Sequence, residues 1–159
     1  MEKHAKTNAV RLLEAAGLPF SLMEYEVSED DLSGTSVARK TGLDPERVFK
    51  TLVTVGEKGG VFVFLIPVNY ELDLRKAASA CGVKKIEMLR LSELFSVTGY
   101  IRGGCSPIGM KKDYPVFIDE SALLWDEIAL SAGARGLQLL IAPDDLISFR
   151  SLQVADLIA

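Results

Sequence analysis

The chain carries one histidine, His4, close to its N-terminus. A Ser–His or Cys–His nucleophile needs a rigidly held base, and a residue so near a terminus is a poor one. The two cysteines, Cys81 and Cys105, form no CxxC and stand beside no histidine. They read as free thiols of a reducing compartment occupying small core positions. HExxH, a Cys/His set and GxxxxGK[ST] are all absent, so neither zinc-site nor P-loop chemistry is indicated. No metal and no cofactor is expected.

What remains is chemistry by placement. The segment Gly103-Gly104-Cys105-Ser106-Pro107-Ile108-Gly109 is the strongest local signal. Glycines let a backbone approach a ligand closely, and successive N–H groups can polarise a carbonyl or hold an anion. An ordinary tight turn would look the same. Lys50, in Val48-Phe49-Lys50-Thr51-Leu52-Val53, stands at the entrance of an apolar strand. It is either an exposed strand-end charge or a partly desolvated ammonium facing a pocket. Tyr25, alternating with Met23 on an earlier strand, either packs half-buried or lines that pocket. The basic pairs Arg39-Lys40, Arg75-Lys76, Lys84-Lys85 and Lys111-Lys112, with Arg102 and Arg135, form a phosphate track if they share the pocket rim. Otherwise they are solvated faces.

The elements that must hold these groups can be read from periodicity and punctuation. Residues 3 to 16 repeat apolar positions at helical spacing, and Gly17 and Pro19 stop the helix. Residues 20 to 26 read as a strand and 28 to 34 as a loop. A short helix spans Ser36 to Lys40 before Gly42. Asp44-Pro45 marks another helix start. Thr51 to Val55 and Val61 to Pro67 flank the turn Glu57-Lys58-Gly59-Gly60 and read as a hairpin. Asp73 caps a helix to Cys81, ended by Gly82. Lys84 to Met88 is a short strand, and Ser92 is read as the cap of the next helix. Val116 to Ile118, Glu127 to Ser131 and Leu137 to Ile141 are strands, and Pro143-Asp144-Asp145 opens a last helix. Hairpins mixed with single helices predict an α+β, mixed α/β domain with a curved sheet.

The chain has 159 residues, of which 48% are hydrophobic. That suffices for one domain with one core, without disulfide or metal staples. The apolar run from Val61 to Val68 contains Pro67 and is far short of the ~20 residues a membrane span needs. No secretion signal is read at the N-terminus, and a cytoplasmic location without membrane contact is expected. The net charge of -4 is unlike that of most nucleic-acid binders. Any RNA contact must come from a local basic face and be salt-sensitive.

Taken together, the ordered segments resemble the YbaK/EbsC family of prolyl-tRNA-synthetase-associated editing proteins. The resemblance runs through Leu18-Pro19-Phe20 with Tyr25, Val48-Phe49-Lys50-Thr51-Leu52, Leu72-Asp73-Leu74-Arg75-Lys76 and Val83-Lys84-Lys85-Ile86-Glu87-Met88. It continues through Ser96-Val97-Thr98-Gly99-Tyr100, the Gly103–Gly109 loop and Ser131-Ala132-Gly133-Ala134-Arg135-Gly136-Leu137. The resemblance covers essentially the whole chain and implies one editing domain over residues 1–159. It implies a mixed β-barrel-like curved sheet surrounded by helices. It implies deacylation of mischarged tRNA(Pro), in particular Cys-tRNA(Pro), with prolyl-tRNA synthetase as a further partner. Sister families remove alanine or other small amino acids. Alanyl-tRNA(Pro) deacylation and a non-catalytic tRNA- or synthetase-binding module are the competing readings.

Carried over by position, Lys50 matches the family's essential lysine. Tyr25 and Thr51 match pocket residues, with Gly103, Gly104 and Ser106 in the substrate loop and Ser131 and Gly133 on the opposing wall. Where the cysteinyl branch has an aspartate after Arg-Gly-Leu, this chain has Gln138, which can hydrogen-bond but cannot act as a base. In that branch the substrate's own thiol attacks its carbonyl and releases a thiolactone. No protein nucleophile is then needed.

Overall fold

The computed structural model describes residues 6–159. His4 and the expected start of the first helix lie outside the described residues. Helix α1 covers Asn8–Ala16, capped by Thr7 and closed by Gly17 in the left-handed conformation. The strand expected over 20 to 26 is shorter, β1 at Ser21–Glu24. Helix α2 spans Gly34–Thr41; the Ser33 hydroxyl accepts from the Ser36 amide at its N-terminus. Asp44-Pro45 opens only a 3-10 turn, Pro45–Arg47. The chain there enters β2 at once.

The hairpin forms as predicted, from β2 (Phe49–Gly56) and β3 (Val61–Pro67), antiparallel over their length. Strand β2 begins two residues earlier than expected, so Lys50 lies inside it. Helix α3 (Leu74–Cys81) is capped by Asp73, whose carboxylate accepts from the amides of Arg75 and Lys76. Strand β4 is Ile86–Met88. Ser92 is not a cap. It sits inside a 3-10 turn, Leu91–Glu93, that leads straight into α4 (Leu94–Thr98) without a side-chain cap. Then come β5 (Val116–Asp119), β6 (Ile128–Ala134), β7 (Leu137–Ile141), α5 (Pro143–Arg150) and β8 (Gln153–Ala155).

The strands form two sheets, β1-β7-β6 and β4-β2-β3-β5-β8. The second is mixed, because β5 runs parallel to both β3 and β8. The sheets meet at a parallel bridge between Val48, just before β2, and Ala129 of β6. The result is a curved mixed surface with helices around it. Among the described residues the strands do not close a barrel.

The principal core lies where α1 and the two sheets meet, on Leu13, Val63, Leu65, Ile118, Leu130 and Leu139. Alternation along β3 sends Phe64 and Ile66 to the other face, under α3. A third, smaller cluster joins Ala38 of α2 to Val48, Val68, Ala129 and Leu140. This last cluster sets up the site.

Candidate active site

The two-residue period of a strand sets which side chains lie next to the small cluster. Val48 is bridged to Ala129, and two residues further along the parallel pair stand Lys50 and Ser131. Ser131 is in turn paired with Gln138 of β7. Ala129 and Leu140 are apolar and packed beneath α2. The next position on the same face carries Ser131 and Gln138, and apolar packing gives way to a cavity.

The cavity has a volume of about 580 Å³, within the usual range for small-molecule sites. Lys50, Thr51, Ser131 and Gln138 line it from the strands. Arg102, Gly103 and Cys105 line it from the glycine loop, Ser33, Gly34, Thr35 and Val37 from α2, and Asn69 and Glu71 from the segment after β3. Among the described residues its charged lining groups are two cations, Lys50 and Arg102, and one carboxylate, Glu71.

Lys50 is half-buried and makes no hydrogen bond or ion pair among the described residues. Thr51 Oγ1 and Gln138 Oε1 are buried without a hydrogen-bond partner among the described residues. The Ser131 hydroxyl accepts from the Gly133 amide at 3.1 Å. A β-bulge between Ser131 and Ala134, with Gly133 at φ 101°, makes that turn-back possible. Burial pushes the Cys105 thiol up to about 12, against a lowering hydrogen bond with Thr98. It stays a neutral thiol at neutral pH and is no nucleophile.

The structure thus brings together five of the nine expected site residues: Lys50, Thr51, Gly103, Ser131 and Gln138. The other four lie off the cavity wall. Tyr25 comes just after the last paired residue of β1, and its amide donates to Gly136 O at the β6–β7 turn. Gly104 lies against that same turn. A Cβ there would stand 3.2 Å from Arg135 N and 3.3 Å from Ala134 Cα, so any side chain requires that backbone to give. Ser106 is fully buried, and its hydroxyl accepts from the Ile108 amide. At Gly133 a side chain would meet Tyr100, 3.2 Å away. These residues lie beside the lining and are not part of it.

Sequence reasoning missed the α2 wall. Gly34 is a poor helix former in a helix's first turn. A Cβ there would stand 2.6 Å from the Val68 Cβ, so a glycine straight after the Ser33 cap was the available signal. Asn69 and Glu71 carried no signal of their own. The basic pairs do not converge. Lys40 holds Glu26 O and Ser28 Oγ, Lys76 pairs with Asp156, and Arg75, Lys84 and Lys85 line a separate groove between α3 and β4. Of the basic residues in that expected track, Arg102 alone lines the cavity.

A half-buried unpaired lysine, small hydroxyls and a glycine-rich wall without nucleophile or metal cluster suit a site that positions a small polar group joined to an anion. Among the described residues no set of His, Cys, Asp or Glu could hold a metal, and no helix is long and apolar enough to cross a membrane. Residues 33–149 match the aminoacyl-tRNA editing domain model, and the chain belongs to that family. It is 51% identical, over 96% of this chain and 93% of the other, to an Enterococcus faecalis protein, EbsC, named as a candidate Cys-tRNA(Pro)/Cys-tRNA(Cys) deacylase. It is 28% identical, over 72% of this chain but 20% of the other, to proline–tRNA ligase of Shouchella clausii. A solved structure described as a candidate trans-editing enzyme for prolyl tRNA synthetase superposes with a TM-score of 0.82 at 27% identity, covering 98% of this chain and 99% of that one.

Proposed function

We propose that residues 1–159 act as one editing domain that deacylates Cys-tRNA(Pro) in trans, with Lys50 as the principal site residue. The carrying observation is the convergence of Lys50, Thr51, Ser131, Gln138 and Gly103 on one cavity, in a chain half identical to a protein named for that activity. The ester is activated relative to an amide, so positioning and oxyanion stabilisation supply much of what is needed. Lys50 anchors the terminal phosphate or ribose. The backbone of Gly103 and Cys105 faces the carbonyl. The substrate's sulfur bonds to its own carbonyl carbon, the ester C–O bond breaks, and the ribose oxygen leaves with the thiol proton. A protein thiol as neutral as Cys105 has no part in that step. Acting in trans fits the likeness to the candidate trans-editing enzyme for prolyl tRNA synthetase, 99% of which is covered. The cytoplasm, where charged tRNA is used, is the matching location, and prolyl-tRNA synthetase the matching partner.

The test is loss of charged tRNA on incubation with Cys-, Ala- and Pro-tRNA(Pro). Cys-tRNA(Pro) is expected to be cleared fastest and Pro-tRNA(Pro) to survive. Clearance of none of them would leave only a binding module.

A further inference from the structure

Two residues that line the cavity carry polar atoms that nothing among the described residues answers. Thr51 Oγ1 and Gln138 Oε1 are buried and unpartnered, and Gln138 is only 4% exposed. Leaving a buried polar group unsatisfied costs about 1–3 kcal/mol. Their neighbours differ in this respect: the Ser131 hydroxyl already accepts from Gly133, and the Thr54 hydroxyl is bonded to Phe62 O. On these strands the unanswered buried oxygens are those of Thr51 and Gln138, and both residues contribute to the cavity lining.

Their chemistry is complementary. An amide oxygen only accepts, whereas a hydroxyl both donates and accepts. A donor and an acceptor on one small cavity match a hydroxyl best and a thiol more weakly, and a methyl group answers neither. An ammonium could donate to both. A cation among neutral buried groups is costly, however, and the cavity's one carboxylate, Glu71, is exposed. The α-ammonium of an aminoacyl ester therefore belongs towards Glu71, and its side chain towards Thr51 and Gln138.

We propose that Thr51 and Gln138 read the aminoacyl side chain as a hydrogen-bonding group, so that the cavity binds serine as well as cysteine and discriminates against alanine. This rests on the deacylase reading above and makes it more specific. The serine hydroxyl is the stronger hydrogen-bonding group, so a seryl ester binds at least as well as a cysteinyl one. It lacks the thiol's nucleophilicity and acts as a competitor. A site that hydrogen-bonds a substrate hydroxyl rejects the analogue lacking it far more strongly than an apolar pocket rejects a missing methylene.

Calorimetric titration with acceptor-stem minihelices of tRNA(Pro) tests this. Each ends in an adenosine that bears serine or alanine through an amide in place of the ester, so affinity is read without turnover. The wild-type protein is expected to bind the seryl minihelix at least about tenfold more tightly than the alanyl one. The ratio should fall to about threefold or less in Gln138→Met, which keeps the length and removes the acceptor. Thr51→Val, close in shape, should narrow it as well, and it carries the test alone if a lowered melting temperature shows that Gln138→Met is misfolded. Equal wild-type affinities, no binding of either minihelix, or a ratio unchanged in the folded variants would overturn the proposal. Selective seryl binding by a protein that leaves Cys-tRNA(Pro) intact would remove the deacylase reading and leave this one standing.

Discussion

The cavity has two halves built on opposite principles. The strand half, β2-β6-β7, fixes its side chains by register and leaves polar groups open: Lys50 is unpaired, and Thr51 and Gln138 lack partners. The loop half, residues 99–112, has no regular structure and uses its polar groups internally. The Tyr100 hydroxyl donates to Ile108 O, and the Ser106 hydroxyl accepts from Ile108 N. Arg150 Nε donates to Pro107 O at 2.9 Å, and Arg135 Nε to Arg102 O at 2.7 Å. A strand needs no help to hold a side chain in place, so its polar groups can wait for ligand. A loop that must present a fixed backbone has to be held by side chains, its own and those of α5 and the β6–β7 turn. Side-chain oxygens left open therefore lie in the strand half, and side chains spent on positioning hold the loop half, and substitutions should separate them.

The largest effect is expected for Lys50→Ala. Losing the one unpaired half-buried cation on β2 should lower Cys-tRNA(Pro) deacylation by about a hundredfold or more, with the melting temperature unchanged. A variant as active as the wild type would move the anchor to Arg102. The opposite signature is expected for Gly104→Val. Its side chain would drive into the backbone of Ala134 and Arg135, costing about 1–3 kcal/mol of stability that thermal melting would show as a drop of several degrees. Activity per folded molecule should also fall, because Gly103 and Cys105 move with the loop. An undisturbed melting temperature would show that the close contact with the β6–β7 turn is not needed.

The same division explains what could be read from the sequence. The β2–β3 hairpin and β7 were legible because apolar residues and turn glycines mark them locally. The helix ends at Gly17, Gly42 and Gly82 were legible because each adopts the left-handed conformation that favours glycine. Strand β8 was not, since two exposed residues and one half-buried one carry no period. The parallel pairings of β5 with β3 and β8 bring together segments far apart in the chain, and local pattern is silent about them. In the site, Lys50, Thr51, Ser131 and Gln138 were reached through family resemblance, and strand register then accounts for their meeting. Gly104, Ser106 and Gly133 were assigned to substrate through the same resemblance, and the structure places them beside the cavity lining. Composition cannot tell whether a loop's N–H and hydroxyl groups face outward or satisfy one another.

Ser106→Ala sharpens the contrast at smaller amplitude. It leaves the buried Ile108 amide without its acceptor, at a cost of about 1–2 kcal/mol, or a few degrees of melting temperature. The KM for Cys-tRNA(Pro) should hold, because Ser106 does not face the cavity. A large rise in KM with unchanged stability would return Ser106 to the binding half.

At neutral pH the last effect vanishes, and it emerges only as an alkaline pH dependence in the loop half. Burial raises the Cys105 thiol to about 12, whereas in the unfolded chain a thiol ionises near ~8.5. Above that lower value the unfolded state loses a proton that the folded state keeps. Stability from this group is therefore complete below about pH 8.5 and declines as pH rises towards 12, by about 1.4 kcal/mol per pH unit at most. The wild-type melting temperature should fall between about pH 9 and 10.5, and Cys105→Ser, with no thiol to ionise, should show a shallower fall. Parallel falls in the two proteins would mean that the Cys105 thiol is not held neutral by the loop. The alkaline loss would then have to come from other groups that burial holds neutral, Tyr100 among them.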